Sequence, residues 1–328
     1  MISVLRFLLP VLLAAFFALI QPDNAVCFDE PMMTIKTGNV TGVYYAAGSA
    51  VAKMHNRKRQ EYGLRLITEA SKGSIANIEH VLEGSATFGI SQSNKLYQAQ
   101  KGTDSWDGQP HDNLRAVLGL YTEDYTVVAA ADANIKTLAD LKGKTVNIGE
   151  LGSSDASQAI DVFQFFGLDQ EKDLTVNGKP TYEAPELLQA GKIDVYLYTV
   201  GHPNLSVREA STGERKVEII SPGREFIEHF RKIRSYIVAT DIPIDYYPAI
   251  VNKDPIPTIG LKAILFTRKN ADEQVVYNMV KEVLANFDLF RRQHPAFVNL
   301  TPEKLTEGLI VPIHPGAERY FKEAGLLP

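Results

Sequence analysis

Short runs of Gly, Ser, Thr, Asn and Tyr stand directly after β-rich stretches of this chain, and they could hold a small solute. Gly38-Asn39-Val40-Thr41-Gly42 leads into Val43-Tyr44-Tyr45. Gly152-Ser153-Ser154-Asp155 follows Ile148-Gly149, and Ser91-Gln92-Ser93-Asn94 follows Phe88-Gly89-Ile90. Glycine admits φ > 0 and close backbone approach. A helix opening just beyond it leaves N–H groups without intrahelical partners, at the positive end of the helix dipole. Ser153 and Ser154 add hydroxyl donors, so this loop would make a carboxylate cradle. Ser and Asp are also the preferred N-cap residues, and both readings can hold together. Asp155 and Glu150 would meet an ammonium group or face solvent. Gln92 presents both a donor and an acceptor.

Ser74, after Gly73, opens another such helix. Tyr44, Tyr45, Tyr121, Tyr125, Tyr196, Tyr198, Tyr246 and Tyr247 place aromatic bodies with polar tips near strand ends, and about two of them are expected to touch a ligand. His202, between Gly201 and Pro203, is equally a helix-entry residue or a ligand contact.

The motifs of other chemistries are absent. There is no H-x-x-x-H pair with a Glu, no G-x-S-x-G elbow and no phosphate-binding P-loop. The single cysteine, Cys27, removes thiolate-ligated metals and internal disulfides. A net charge of −5 argues mildly against nucleic acid as a partner. No cofactor, metal or catalytic residue is expected, and a binding protein is favoured over an enzyme.

Strand and helix patterns alternate almost throughout. Strands are predicted over 33–37, 64–69, 87–90, 114–120, 125–130, 145–148, 193–198 and 258–266. Helices are predicted over 44–55, 74–82, 93–100, 154–166, 185–190, 203–209 and 273–290. This alternation implies βαβ units with mostly parallel strands, whose ligands sit beyond the carboxyl ends of the strands. The segment 121–124 reads as one of the loops to inspect there.

The chain opens with Arg6, then an apolar run from Phe7 to Ile20, then Ala25-Val26-Cys27. That order is a secretory leader with a small–x–small cleavage site. The run falls short of the ~20 residues of a membrane span. The expectation is a signal peptide over 1–27 and a periplasmic protein, with lipidation of Cys27 left open.

Together these segments resemble the TAXI family, the solute receptors of TRAP (tripartite ATP-independent periplasmic) transporters. The carriers are Gly38-Asn39-Val40-Thr41-Gly42-Val43-Tyr44-Tyr45, Gly73-Ser74-Ile75-Ala76-Asn77-Ile78 and Phe88-Gly89-Ile90-Ser91-Gln92-Ser93. Leu114-Arg115-Ala116-Val117, Leu138-Ala139-Asp140-Leu141-Lys142-Gly143-Lys144, Gly201-His202-Pro203-Asn204 and Pro257-Thr258-Ile259-Gly260 follow in order. The resemblance implies an α/β, two-lobed periplasmic binding protein of type II-like form, each lobe a mostly parallel sheet flanked by helices. Lobe I would comprise 28–122 plus 237–328 and lobe II 123–236, with a hinge at Tyr121–Tyr125 and Arg234–Ala239.

The implied ligand is a small organic acid or amino acid, resembling glutamate or a 2-oxoacid, and the implied partners are the TRAP membrane subunits. A monomer is expected. Ligand contacts would fall on Asn39, Thr41, Tyr44, Tyr45, Ser74, Gln92, Ser93, Gly152, Ser153, Ser154, Asp155, Tyr198, His202 and Tyr247. Asp155, Glu150 and Lys72 depart from the family pattern. The first two argue against a simple dicarboxylate; Asp155 could favour a zwitterion, whereas Lys72 could supply a cation for an acid group, and the two readings stay open. An enzyme on the same fold, or a sensory partner of a membrane kinase, are the alternative readings.

Overall fold

The computed structural model describes residues 30–328, so the expected signal peptide and Cys27 lie outside the described residues. One sheet contains β1 Met32–Lys36, β2 Arg65–Glu69, β3 Phe88–Gln92, β4 Leu114–Ala130 and β5 Thr145–Asn147. It continues with β6 Thr175–Asn177, β7 Val195–Val200, β8 Val217–Ile219, β9 Val238–Ile242 and β10 Ile256–Arg268. The longer helices are α1 Val43–Asn56, α2 Ser74–Glu83, α3 Ser93–Lys101, α4 Ser154–Phe165, α5 Leu205–Thr212, α6 Arg224–Ile233, α7 Glu273–Ala285 and α8 Pro315–Glu323.

The strand order β2-β1-β3-β10-β4-β7-β5-β6 separates two outer groups of parallel strands. On one side β1 runs parallel to β2 and β3, and on the other β5 runs parallel to β6 and β7. Between them lie the long strands β4 and β10, antiparallel to each other and to their neighbours. Each long strand serves both groups. In β4, residues 114–124 pair with β10 and 124–129 with β7. In β10, residues 256–260 pair with β9 and 263–267 with β3.

Side chains follow the same division. One apolar cluster draws on Tyr125–Leu261, with Val127, Val146, Ala159, Tyr196 and Phe226 inside it. Two more are built from residues up to Tyr121 and from Ala263 onward, with a contribution from Val200 in one of them. The backbone passes between the cores only through a few crossings, while a continuous ladder of hydrogen bonds ties them together. This is a two-lobed α/β fold.

Local reasons place the helices that matter. α1 buries Val43, Tyr44, Ala47, Ala50, Val51 and Met54, a stripe at helical spacing. Gly48 lets it lie close on β1, because a Cβ there would fall 2.6 Å from Thr37 Cγ2. Asn77 in α2 donates to the carbonyls of Thr37 at 2.5 Å and Ile90 at 2.7 Å. That buried amide pins the helix to the ends of β1 and β3, so the loops after both strands are held together.

Two expectations change. Segment 121–124 is not a loop, since Leu114–Ala130 is one continuous strand. Its charged pair, Glu123-Asp124, reads as a break in an apolar run, but β10 covers it with backbone pairs Glu123–Leu261 and Asp124–Gly260. The segment beside Tyr121–Asp124 is therefore β10, and the 234–239 region reaches the sheet only as β9, on the other side of β10. The helix expected over 273–290 also breaks, at Asn286.

Candidate functional site

The carboxyl ends of β1, β3, β5 and β7 and the middle of β4 surround a cleft of about 700 Å³, counted to its open mouth. One wall carries Asn39, Tyr44, Ser74, Gln92, Tyr121 and Glu123. The other carries Ser153, Ser154, Asp155, Thr181, Tyr182 and Tyr198. Three helices open onto it. α1 follows Gly42 and α2 follows Gly73, and neither start has a side-chain cap. α4 follows Ser153, whose hydroxyl accepts from Ala156 N at 3.2 Å. Free first-turn N–H groups at the positive ends of helix dipoles suit an anionic group on a ligand.

A hydrogen-bonded relay joins the walls. The backbone N–H of Thr199 donates to Asp155 Oδ1 at 3.1 Å, and its hydroxyl to Gln158 Oε1 at 2.9 Å. Gln158 Nε2 donates to Gln92 Oε1 at 2.7 Å. Gln92 N donates to Ser74 Oγ at 3.1 Å, which lies 3.2 Å from Tyr44 Oη. Tyr44 Oη donates to Glu123 Oε2 at 2.9 Å. A buried carboxylate, Glu123, and a half-buried one, Asp155, thus terminate one run of polar groups.

Their electrostatics are unusual. Burial pushes the Glu123 carboxyl well above the usual range, and nearby Asp155 and Asp124 push further, against hydrogen bonds from Tyr44 and Gln92. Burial raises Asp155 to about 7, against the Thr199 N–H. Desolvation disfavours a charged form that has no counter-ion. The one cation on the cleft lining is Lys72, and its ammonium is 3.0 Å from Glu150 Oε1 at the mouth. The Tyr121 hydroxyl is buried on the lining and has no hydrogen-bond partner.

Of the residues expected to bind, Asn39, Tyr44, Ser74, Gln92, Ser153, Ser154, Asp155 and Tyr198 line the cleft. Thr41, Tyr45, Ser93, Gly152, His202 and Tyr247 do not. Thr41 turns its hydroxyl back to Asn39 Oδ1 at 2.7 Å. Ser93 Oγ accepts from Lys262 N at 3.2 Å, behind the wall. Gly152, with φ +82°, shapes the loop before α4 from an exposed position.

His202 and Tyr247 belong to a separate buried network. Tyr247 Oη accepts from Asn204 N at 2.7 Å and lies 2.5 Å from His202 Nδ1. His202 Nε2 lies 2.8 Å from Thr126 Oγ1, which donates to the Asp124 carbonyl at 2.8 Å. One proton arrangement satisfies every member, with Tyr247 donating to Nδ1 and Nε2–H donating to Thr126. Burial holds His202 neutral, with a pKa lowered to about 3.

Sequence reasoning named neither Glu123 nor Tyr121 as a contact. The available signal was a charged pair inside an otherwise apolar segment. Among the described residues, no group of three or more His, Cys, Asp or Glu is placed to hold a metal ion, and no helix is long and apolar enough to cross a membrane.

The fold is that of two-lobed periplasmic binding proteins. The chain belongs to the NMT1-like family, which matches residues 35–325. Among solved structures it is similar to MatC from Rhodopseudomonas palustris with bound malate. Identity there is 13%, the TM-score is 0.55, and 90% of this chain and 98% of that one are covered. It is also similar to a structure described as a periplasmic transporter, at 14% identity and a TM-score of 0.52, covering 90% and 93% of the two chains.

Proposed function

We propose that this protein is the extracytoplasmic receptor of a TRAP transporter, capturing a small organic acid or amino acid and delivering it to membrane subunits. One observation carries the reading: three helix N-termini converge on a polar cleft whose walls belong to different halves of the sheet. The helix ends take the solute's carboxylate, and tyrosines 44, 121 and 198 pack around its body. The malate held by the structurally similar protein is a solute of the same size and charge class.

In this reading 28–122 plus 262–328 form lobe I and 123–261 form lobe II, the second boundary moving from the expected 237 because Ile237 to Leu261 pack in the same core as Val127 and Phe226. The long strands β4 and β10 act as the hinge, and closure of the lobes is the signal read by the membrane partner. The cross-wall bonds Gln158–Gln92 and Lys72–Glu150 support a closed arrangement, in which a bound solute would be shielded from water. The TRAP assignment rests on the order of the Gly38–Tyr45, Gly73–Ile78 and Phe88–Ser93 segments. Residues 1–27 act as the export signal.

A ligand that binds only the folded state raises the melting temperature by mass action. Protein refolded free of carried-over ligand should therefore gain several degrees with one class of organic acid or amino acid in a thermal-shift series. No shift from any small solute, in a preparation shown to be folded, would end the receptor reading.

A further inference from the structure

We infer that Glu123 and Asp155 form an ammonium subsite, so that the cleft selects solutes bearing a protonated amine, amino acids above all, over the matching 2-oxo acids. The inference rests on the receptor reading and narrows its ligand class. Three carboxylates line the cleft, Glu123, Glu150 and Asp155, against one cation, Lys72. Lys72 is already paired with Glu150, which leaves Glu123 and Asp155 with no cationic partner.

A second, independent feature points to a missing ligand. The buried Tyr121 hydroxyl on the lining has no hydrogen-bond partner, and buried hydroxyls are ordinarily satisfied. Its ionisation is opposed by burial first and then by Glu123, Tyr44 and Tyr198, which places it in the same group. An ammonium donates up to three hydrogen bonds and accepts none. Glu123, Asp155 and the acceptor face of Tyr121 supply such a set, while a keto oxygen in that place would need Glu123 and Asp155 to keep their protons and donate them, so its binding would hold or take up protons rather than release them. The helix starts at Gly42 and Gly73 take the carboxylate of the same zwitterion.

The subsite is linked to protons. The groups facing Glu123 are Tyr44 of α1, Gln92 of β3, Asp155 of α4, Tyr198 of β7, and Tyr121 and Asp124 on its own strand. Those facing Asp155 are the Thr199 N–H of β7, together with Glu123, Tyr44, Tyr125 and Tyr198. None is a cation, so the empty site holds protons near neutral pH. An arriving ammonium displaces them. Proton release on binding makes affinity rise with pH between about 6 and 8.

The test is isothermal titration of the ligand-free protein at pH 6 and pH 8, in two buffers of different ionisation enthalpy. The probes are the proteinogenic L-amino acids, with pyruvate, 2-oxoglutarate and phenylpyruvate as amine-free partners of alanine, glutamate and phenylalanine. The expected result is binding of at least one amino acid, at least about tenfold tighter than its amine-free partner. Protons should be released, and affinity should fall at least about tenfold in Glu123→Gln. If that variant does not fold, Asp155→Asn carries the same expectation. An amine-free acid that binds as tightly as its amino acid, takes up protons, or is indifferent to Glu123→Gln overturns the subsite and leaves the receptor standing. Absence of binding by any solute to folded protein removes both.

Discussion

Two buried polar groups sit within a few residues of one another along β4, and they are finished in opposite ways. Around His202, Tyr247, Thr126 and Asn204 every donor meets an acceptor inside the protein. Around Glu123, Asp155 and Tyr121 the hydrogen bonds run through the protein but leave, on the cleft lining, a buried hydroxyl without a partner and two carboxylates without a cation. A closed network adds rigidity and fixes a single arrangement of the core, whereas an open one carries a desolvation cost until something fills it. The same residue types, Tyr and a titratable partner at a strand end, therefore serve structure in one place and capture in the other.

The sharpest way to break this contrast is Tyr247→Phe. Loss of the hydroxyl strands the Asn204 N–H and His202 Nδ1, both buried, at about 1–3 kcal/mol each. Chemical denaturation should report a loss of about 2–4 kcal/mol, with solute affinity in the folded protein unchanged. A loss of affinity without a loss of stability would place Tyr247 at the ligand and erase the distinction.

Asp155→Asn tests the other group through pH. The folded pKa is raised from 3.8 to about 7, so the group's contribution to stability is fully present below about 3.8 and is lost as pH rises through about 7. Asn carries no such dependence. Between pH 5 and pH 8 the ligand-free variant should gain about 1–3 kcal/mol relative to the wild type, measured by urea unfolding at each pH. His202 has the opposite sign. Its pKa is lowered, so its contribution is present above about 6.5 and falls away as pH drops toward about 3. A pH-independent gap between the two proteins would mean that Asp155 is ionised and satisfied in the empty cleft.

How far the chain could be read from its residues follows the same division. The glycine-led helix starts at Gly42, Gly73 and Gly152-Ser153 are local signals, and the structure brings all three to one cleft. Glu123 is not a local signal. A charged pair is rare in strands, so Glu123-Asp124 reads as a turn. Only β10 alongside and the shared helix ends show it as the floor of a site. His202 and Tyr247 fail differently: their residue types suit a ligand, but whether their hydrogen bonds close on each other depends on a partner 45 positions away. Strands as short as Thr175–Asn177 and Val217–Ile219 leave too few positions for a period to register.

Tyr121→Phe makes the same chemical change as Tyr247→Phe and should give the reverse outcome. Its hydroxyl has no partner, so removing it leaves the ligand-free melting temperature unchanged or slightly higher. Affinity for the solute should fall about three- to tenfold, the worth of one hydrogen bond of about 0.5–1.5 kcal/mol. Paired calorimetry of the two Phe variants would show whether an unpartnered hydroxyl marks the site or only an imperfectly packed core.

The smallest effect belongs to the cleft mouth. Lys72 and Glu150 come from the two walls and meet at 3.0 Å, but their side chains are 71% and 38% exposed. Water and salt screen such a pair, and holding two long side chains in one geometry costs entropy, so it is worth less than about 1 kcal/mol. If Lys72 instead served as the counter-ion of the solute's carboxylate, Lys72→Ala would lower affinity more than tenfold at every salt concentration. The pairing with Glu150 predicts less than about fivefold, fading as salt approaches about 0.5 M, where the Debye length is only a few ångströms. Glu150→Gln frees Lys72 while keeping the side-chain shape. It should match Lys72→Ala if the pair holds the walls together, and should tighten carboxylate binding if Lys72 is then released to the ligand.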